Sequence, residues 1–478
     1  MAGPSQTTTQ PYGLKTGILS QWETLAQSLS SIAPTASPAM IIPLVTATSG
    51  RSSWLSYLLA TAGALLVAIH VNVFAKDSAS PGSLFAFVHE ELGLWAGLIA
   101  GWGLIVAYIC TAQAVTGGVM EYTQGFFGGF MVRPWGGFIV VVATIALAVA
   151  LAYRNVELST RFMLWIEAAS IALIVLVFVY PGHVYPGHGQ SLTHTAGQFA
   201  PGVLALTPIR AGLILATFSF VGFESATALG AEAKNPLVTI PRAVLGTTIL
   251  SGFFFIFCAY AEFSAFSGRL DLLDVNSAPL QTLAQMKGIP WLAPVLSIGA
   301  GVSFFACALA CITASARTAF FVSAQGSLPR SLQRAHTTNQ TPHIAVVASG
   351  IASAAVPGYL VLRRASGFDL YNWLGTIATF GFVVAYLFVV FAAAVRLKRK
   401  SKSTATSITL AAITILFLGW ALEGSLNLGA PGPEKWLAPI FAAIVATGVL
   451  FGVWYRRTTG NAARSASSPT KVVERIES

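Results

Sequence analysis

The sequence predicts an all-α membrane protein of about twelve transmembrane helices, and three observations carry that reading. Hydrophobic residues make up 55% of the 478-residue chain and charged residues only 9%, with a mean hydropathy of +0.71. Side chains in that ratio cannot coat a water-soluble globule of this size, so lipid must solvate much of the surface. Apolar runs recur along the chain at the length of about 20 residues that a hydrocarbon core of about 30 Å requires. The basic residues gather on alternate loops, as the positive-inside rule demands of a multi-pass chain.

The runs lie near 25–47, 52–74, 92–118, 136–152, 160–180, 206–230, 243–266, 291–323, 343–362, 370–394, 407–425 and 436–455. With that register Lys15, Lys76, Arg154, Arg161, Lys234, Arg242, Arg330, Arg334, the Arg396 to Lys402 cluster and the tail cations from Arg456 to Lys471 share one side. That side is expected to be the cytoplasm, with both termini inside a cell membrane. Arg51, Arg133, Arg269, Lys287 and Lys435 fall opposite, and the adjacent Arg363 and Arg364 break the rule. The chain then divides into a cytoplasmic segment (1–20), a transmembrane unit (21–455) and a disordered tail (456–478). No removable signal peptide is expected in the first 20 residues, which lack an apolar core.

The net charge of +10 describes topology rather than a nucleic-acid surface, because no soluble basic domain is present to present it. Cys110, Cys258, Cys307 and Cys311 all lie inside apolar runs, which argues against a disulfide scaffold. No His or further Cys follows Cys307 and Cys311 at ligand spacing, and neither a metal nor a cofactor is expected. His183, His188 and His194 share a loop opposite the termini and read as a solvated loop, with a zinc site as the alternative. An enzyme would call for a His-Glu-x-x-His motif, a phosphate loop or paired acids, and none is found. A channel would show a filter or a polar stripe along several runs.

Helix interruptions inside a bilayer survive only where the freed backbone is buried in protein or lines a polar cavity. Two stand out. Run 1 contains Ser30-Ser31-Ile32-Ala33-Pro34-Thr35-Ala36-Ser37-Pro38, and run 6 contains Phe218-Ser219-Phe220-Val221-Gly222-Phe223-Glu224-Ser225. They open two consecutive sets of five runs, 21–180 and 205–395, leaving two further helices in 405–455. Five is odd, so the halves face opposite ways. Paired breaks in corresponding places mark the midplane substrate site of an inverted-repeat transporter.

Four stretches carry a resemblance: Ile32 to Pro43, Ser80 to Val88, Phe220 to Pro241 and Ser315 to Pro329. The third is the most specific, with Val221-Gly222-Phe223-Glu224-Ser225-Ala226, Glu232-Ala233-Lys234-Asn235-Pro236 and Ile240-Pro241-Arg242-Ala243. Over nearly its whole length the chain resembles the amino acid-polyamine-organocation superfamily of permeases. The resemblance implies a LeuT-type 5+5 inverted repeat with broken helices 1 and 6 plus two C-terminal helices. It also implies secondary transport of amino acids or related amines by alternating access, through proton symport or exchange. Sodium symport, polyamine or organocation transport and a non-transporting amino acid receptor are the alternatives. Two departures bear on coupling and binding. Thr35-Ala36-Ser37 stands where many members have a Gly-Ser-Gly-like tripeptide, and Glu167 stands nearest to a Lys found midway along span 5 of several proton-coupled members.

The expected site follows from the breaks. Amides of Thr35, Ala36 and Ser37, beside Ile32 and Ala33, become donors for a carboxylate at the positive end of the following half-helix. Carbonyls around Phe218, Ser219 and Phe220, beside Gly222 and Phe223, accept from an ammonium group. By resemblance Phe218 stands at an aromatic gate, and an aromatic face suits a cation. Glu224 either caps the second half of run 6 or switches with substrate. Glu167 must be neutral, paired or facing a wet cavity, as a coupling group or as a hydrogen-bonded packing group. Thr313 and Ser315 are candidate sodium ligands or packing hydroxyls. Arg317 is expected to anchor at the interface or pair with an acid, and Gly93, Gly97 and Gly101 to allow close packing. A shortage of buried acids near the breaks argues against polyamines.

Overall fold

A computed structural model describes residues 13–130, 133–154, 156–180, 205–266, 278–425 and 433–466. The loop histidines, Arg269 and the tail past 466 lie outside the described residues. Fourteen α-helices follow in order: α1 (Gln21–Ile32), α2 (Ile42–Ser49), α3 (Ser53–Ala75), α4 (Ser83–Phe127), α5 (Pro134–Arg154), α6 (Val156–Val179), α7 (Leu206–Phe218), α8 (Pro236–Ala265), α9 (Pro279–Met286), α10 (Leu292–Ala324), α11 (His343–Leu362), α12 (Gly367–Arg399), α13 (Ala405–Ser425) and α14 (Leu437–Ala466). Among the described residues the one β-type contact is a bridge between Leu19 and Ala233.

Every one of the twelve apolar runs coincides with one of these helices or with a pair of them. Among the described residues, ten helical stretches are long and apolar enough to cross a membrane. The difference from twelve has two local causes. The first two runs are joined through a 3-10 turn at Gly50–Ser52 into one stretch, Gln21–Ala75. The sixth is cut at Phe218, so its apolar helix Thr207–Phe218 falls below spanning length. The last helix continues to Ala466, past the expected boundary at 455.

The packing has an internal regularity. Numbering the first ten runs in order, run 2 packs on run 7 (α3 on α8), run 3 on run 8 (α4 on α10) and run 4 on run 9 (α5 on α11). Further pairs come in partners five runs apart: α1 on α8 with α7 on α3, α4 on α12 with α10 on α6, and α5 on α10 with α11 on α4. Exchanging the two sets of five therefore maps observed contacts onto observed contacts. Between helices in lipid, association rests on close packing and hydrogen bonds rather than on apolar burial. The α4–α12 pair shows this at Gly117, where an added Cβ would stand 2.1 Å from the Gly367 carbonyl oxygen.

α4, α10 and α12 form the centre, while α13 and α14 lie against its periphery. Within α4, Gly93 has φ 82° and interrupts the helix, so it is a hinge between two segments and not the packing residue expected from its spacing. Gly97 does pack closely, against His89, and Gly101 against Phe85.

One end of the bundle carries residues 13–20 and collects the predicted cytoplasmic cations. There Arg161 pairs with Glu23 at 2.6 Å, Arg396 with Glu91 at 3.0 Å, and Lys400 with Asp77 at 2.5 Å. We call it the N-terminal end and the other the far end.

Candidate functional site at the two helix breaks

The first break begins where α1 ends. Ser20 and Glu23 close a capping box at its start, and Ala33 stops it in the left-handed region at φ 50°. Pro34 and Pro38 supply no amide hydrogen, and the chain re-enters helix through a π turn at Ser37–Ile41. The Ala36 amide donates to the Ala33 carbonyl at 2.8 Å, so it is spent, contrary to expectation. The Thr35 and Ser37 amides have no backbone acceptor among the described residues. Both their hydroxyls are buried without a partner.

The second break follows α7. Tight turns carry Ser219 to Glu224 into a 3-10 turn at Ser225–Leu229. Gly222 has φ 94°, and a Cβ there would stand 2.9 Å from the Ser31 Cβ, so backbone conformation and close approach both select glycine. The Phe218 and Phe220 carbonyls each accept one long bond, from Val221 at 3.3 Å and Phe223 at 3.4 Å. The Ser219 carbonyl accepts no backbone amide among the described residues.

Side chains tie the two breaks together. The Ser225 hydroxyl donates to Gln27 O at 3.1 Å and to Ser31 Oγ at 2.8 Å, and the Ala226 amide donates to Ser28 Oγ at 2.9 Å. Ile32, Ala33, Thr35, Ala36, Ser37, Ser219, Phe220, Gly222 and Phe223 are all buried, and Phe218 is partly so. The structure thus ties the two breaks together, one with free amides and hydroxyls and the other with a free carbonyl among the described residues, in buried surroundings. Buried polar groups without partners are rare and call for a polar occupant.

Both ends of the region are shut. Toward the far end an aromatic layer runs from Phe218 to Tyr371 (5.7 Å between centroids), to Phe304 (6.1 Å) and to Tyr122 (5.9 Å). The short helix α9 also lies against the π turn. Toward the N-terminal end, Glu224 accepts from Tyr108 Oη at 2.7 Å and from Tyr386 Oη, while the Gly222 amide donates to Tyr386 Oη at 3.3 Å. The Glu224 side chain makes no capping bond to the turn that follows it; tyrosines from α4 and α12 hold it instead. Deeper toward that end Arg317 meets Glu232 in a bidentate pair of 2.6 and 2.7 Å. Backbone bonds from Ile18 and Leu19 to the Glu232 carbonyl, at 2.9 and 3.0 Å, strap residues 13–20 across the same place.

Glu167 is wholly buried and accepts from the Ser303 hydroxyl at 2.9 and 3.1 Å. Its neighbour Cys307 donates to Ser31 O at 3.3 Å, which brings this carboxyl to the level of the first break. Thr313 Oγ1 is buried without a partner, whereas Ser315 shares a 3.1 Å hydrogen bond with Ser349 of α11. Residues two apart on a helix do not share a face, so Thr313 and Ser315 do not converge.

Sequence reasoning missed Glu262 of α8, fully buried with both carboxylate oxygens unbonded among the described residues. The signal was present, since Glu262 is a lone acid in run 243–266, as Glu167 is in run 160–180. Tyr57, Tyr108, Tyr122 and Tyr386 were also missed, because nothing local separates a tethering tyrosine from a packing one. Glu262 thus joins Glu167 and Glu224 as a buried acid of the bundle.

A family model described as amino acid permease matches residues 24–459. The chain belongs to the amino acid permease family. The branched-chain amino acid permease BcaP of Bacillus subtilis is 24% identical over 357 residues, covering 70% of this chain and 72% of that protein. A methylthioribose transporter of the same organism is 25% identical over 347 residues, with 70% and 72% covered. An uncharacterised transporter of Mycobacterium tuberculosis is 28% identical over 300 residues, covering 61% of this chain and 63% of its own length. The chain is therefore a multi-pass membrane protein of a transporter family. Within this permease the two breaks, the aromatic layer and the Glu224 clamp form one enclosed unit.

Proposed function

We propose that this permease is a secondary active transporter that moves amino acids or related amines across the cell membrane by alternating access. The observation that carries the reading is the enclosed pairing of the two breaks. Thr35 and Ser37 of one break have amides and hydroxyls without a partner among the described residues, and the Ser219 carbonyl of the other accepts no amide there. Amide donors suit a carboxylate and the carbonyl suits an ammonium group, so a zwitterion is read by backbone and its side chain is left to the surrounding walls. The five-run regularity of the packing supports an inverted repeat of 21–180 and 205–395. The gathering of cations at the N-terminal end supports cytoplasmic termini.

The two closures supply the alternation. Parting the Phe218–Tyr371 contact opens the far side, and releasing Glu224 from Tyr108 and Tyr386 together with the Arg317–Glu232 region opens the other. Substrate bound between them favours the doubly closed state by satisfying groups that are otherwise unbonded. Proton symport or exchange suits a bundle in which Glu167, Glu224 and Glu262 are buried without a cationic partner better than sodium symport, because Ser315 is committed to α11.

The test is thermal stabilisation of the detergent-purified protein by each amino acid and common amine, with and without sodium and at two pH values. A shift confined to a few amino acids, abolished in a folded Ser37→Pro variant, is expected. Stabilisation by a thiosugar such as methylthioribose with none by any amino acid would replace the substrate class and abandon the zwitterion site.

A further inference from the structure

Of the buried acids among the described residues, Glu262 is the one without a hydrogen-bond or ion partner, and the mechanism above gives it no role. It sits near the far end of α8, fully enclosed, and neither oxygen has a hydrogen-bond partner among the described residues. Glu167 has Ser303 and Glu224 has two tyrosines, so this isolation is particular to Glu262. The groups within its electrostatic reach are Cys258 one turn earlier, Tyr57 of α3 and Tyr122 of α4.

Among the described residues no cation faces it from the elements packed most closely on α8, which are α1, α2, α3, α6, the π turn and the 3-10 turn. On α1, Glu23 is paired with Arg161 of α6 at the N-terminal end, where Glu157 holds the same arginine. On α6, Glu167 is bonded to Ser303. His70 of α3 bonds its own helix at Leu66. α2 and the two turns contain no titratable side chain. Lys287, at the far end, is committed to carbonyls of Val177, Phe178 and Tyr180.

The two phenols near Glu262 are the ones that hold the breaks. Tyr57 Oη shares a 3.0 Å hydrogen bond with Ser219 Oγ in the second break. Tyr122 Oη donates to Ala39 O, in the π turn after the first break, at 3.0 Å. An ionised carboxylate without a donor at such depth costs about 2.5–3.5 kcal/mol or more, so the enclosed group must hold a proton or another cation. A hard metal cation gathers about six oxygen ligands. Both phenol oxygens are already bonded, and among the described residues no group of three His, Cys, Asp or Glu side chains gathers to hold a metal, so a proton is the cation that fits.

We propose that Glu262 carries the proton that accompanies transport. This rests on the transport reading above. The acid is protonated while both breaks are closed. When the region opens to water, the carboxyl O–H bond breaks and the proton passes to a water molecule; reloading reverses the step, with no change of oxidation state. The carboxylate left behind draws the Tyr57 and Tyr122 hydroxyls away from Ser219 and Ala39. Proton loss thereby loosens both breaks, and proton gain tightens them.

The experiment uses the full chain in proteoliposomes with an internal pH dye and radiolabelled amino acid. Wild type is expected to acidify the lumen on substrate addition, and Glu262→Gln, fixed in the neutral form, to lose that signal. Net uptake in the variant should fall far more than counterflow, which requires no net proton movement. Proton entry per substrate unchanged in E262Q overturns the proposal, as does wild-type uptake that needs sodium and moves no proton. Dicyclohexylcarbodiimide, which reacts with protonated buried carboxyls, keeps the idea testable if E262Q does not fold. A mass-spectrometric adduct on wild-type Glu262 at neutral pH, lost at high pH, is expected, and an unlabelled Glu262 beside a labelled control acid overturns the proposal. Labelling requires no substrate, so an adduct on Glu262 without amino acid flux would sink the transport reading while keeping the protonated acid.

Discussion

Replacing Arg317 with Met separates the energetics of the N-terminal closure from those of the breaks. The guanidinium and carboxylate are 1% and 0% exposed, joined by two bonds of 2.6 and 2.7 Å, with a third from Arg317 to Thr313 O at 3.3 Å. Removing one partner of such a pair leaves an uncompensated buried charge and costs about 3–5 kcal/mol. At about 1.4 kcal/mol per decade, that is roughly two to three and a half decades in the equilibrium between closed and disrupted forms. The cost also reaches the strap, because the Glu232 backbone carbonyl holds the Ile18 and Leu19 amides.

Glu232→Gln should show a loss of similar direction, and Arg317→Met with Glu232→Met a smaller one than either single change, since the pair is removed as a unit. Thermal midpoints in detergent, read alongside protease cleavage after Lys15, measure both consequences. An R317M midpoint equal to wild type, or a double variant whose loss equals the sum of the singles, would refute the reasoning. The first result would mean water reaches the pair, and the second that the two side chains act independently.

Three further outcomes follow from the geometry. Tyr386→Phe removes one of the two hydroxyls on Glu224, a bond to a carboxylate being worth about 1.5–3 kcal/mol; concentrative uptake should fall while counterflow persists, and unchanged accumulation would rule out the clamp. Phe218→Ala opens the aromatic layer at Tyr371 and should weaken binding of an ammonium-bearing substrate by about 1 kcal/mol, roughly fivefold, in equilibrium titration. Lys287→Met strips the last carbonyls of α6 of a donor and should lower stability by about 2–3 kcal/mol at neutral pH. Burial holds the Lys287 ammonium below its ordinary value of 10.5. Between that lowered value and 10.5 the unfolded chain binds more protons, so this residue's contribution rises with pH across the window. A wild-type stability difference from K287M that stayed flat there would contradict the burial.

What the sequence could disclose were properties that a short stretch carries by itself. Run length and hydropathy report the lipid requirement directly, and Pro34, Pro38 and Gly222 report where a helix cannot continue, because amide loss and φ are local matters. Hence the runs and both breaks were legible, as was the lone carboxyl Glu167. Glu262 carried the same local signal and was passed over. Pairing between distant side chains was not legible. Tyr108 and Tyr386 meet on Glu224 only because α4 and α12 pack together, and Arg317 meets Glu232 across 85 positions of chain. The free state of the Thr35 and Ser37 hydroxyls, and the spending of the Ala36 amide, likewise depend on how the turn closes. Composition and periodicity determined that this chain is a bundle of membrane helices with two interruptions. Tertiary packing decided which polar groups are satisfied, because a hydrogen bond is a relation between two positions and a sequence states only one of them at a time.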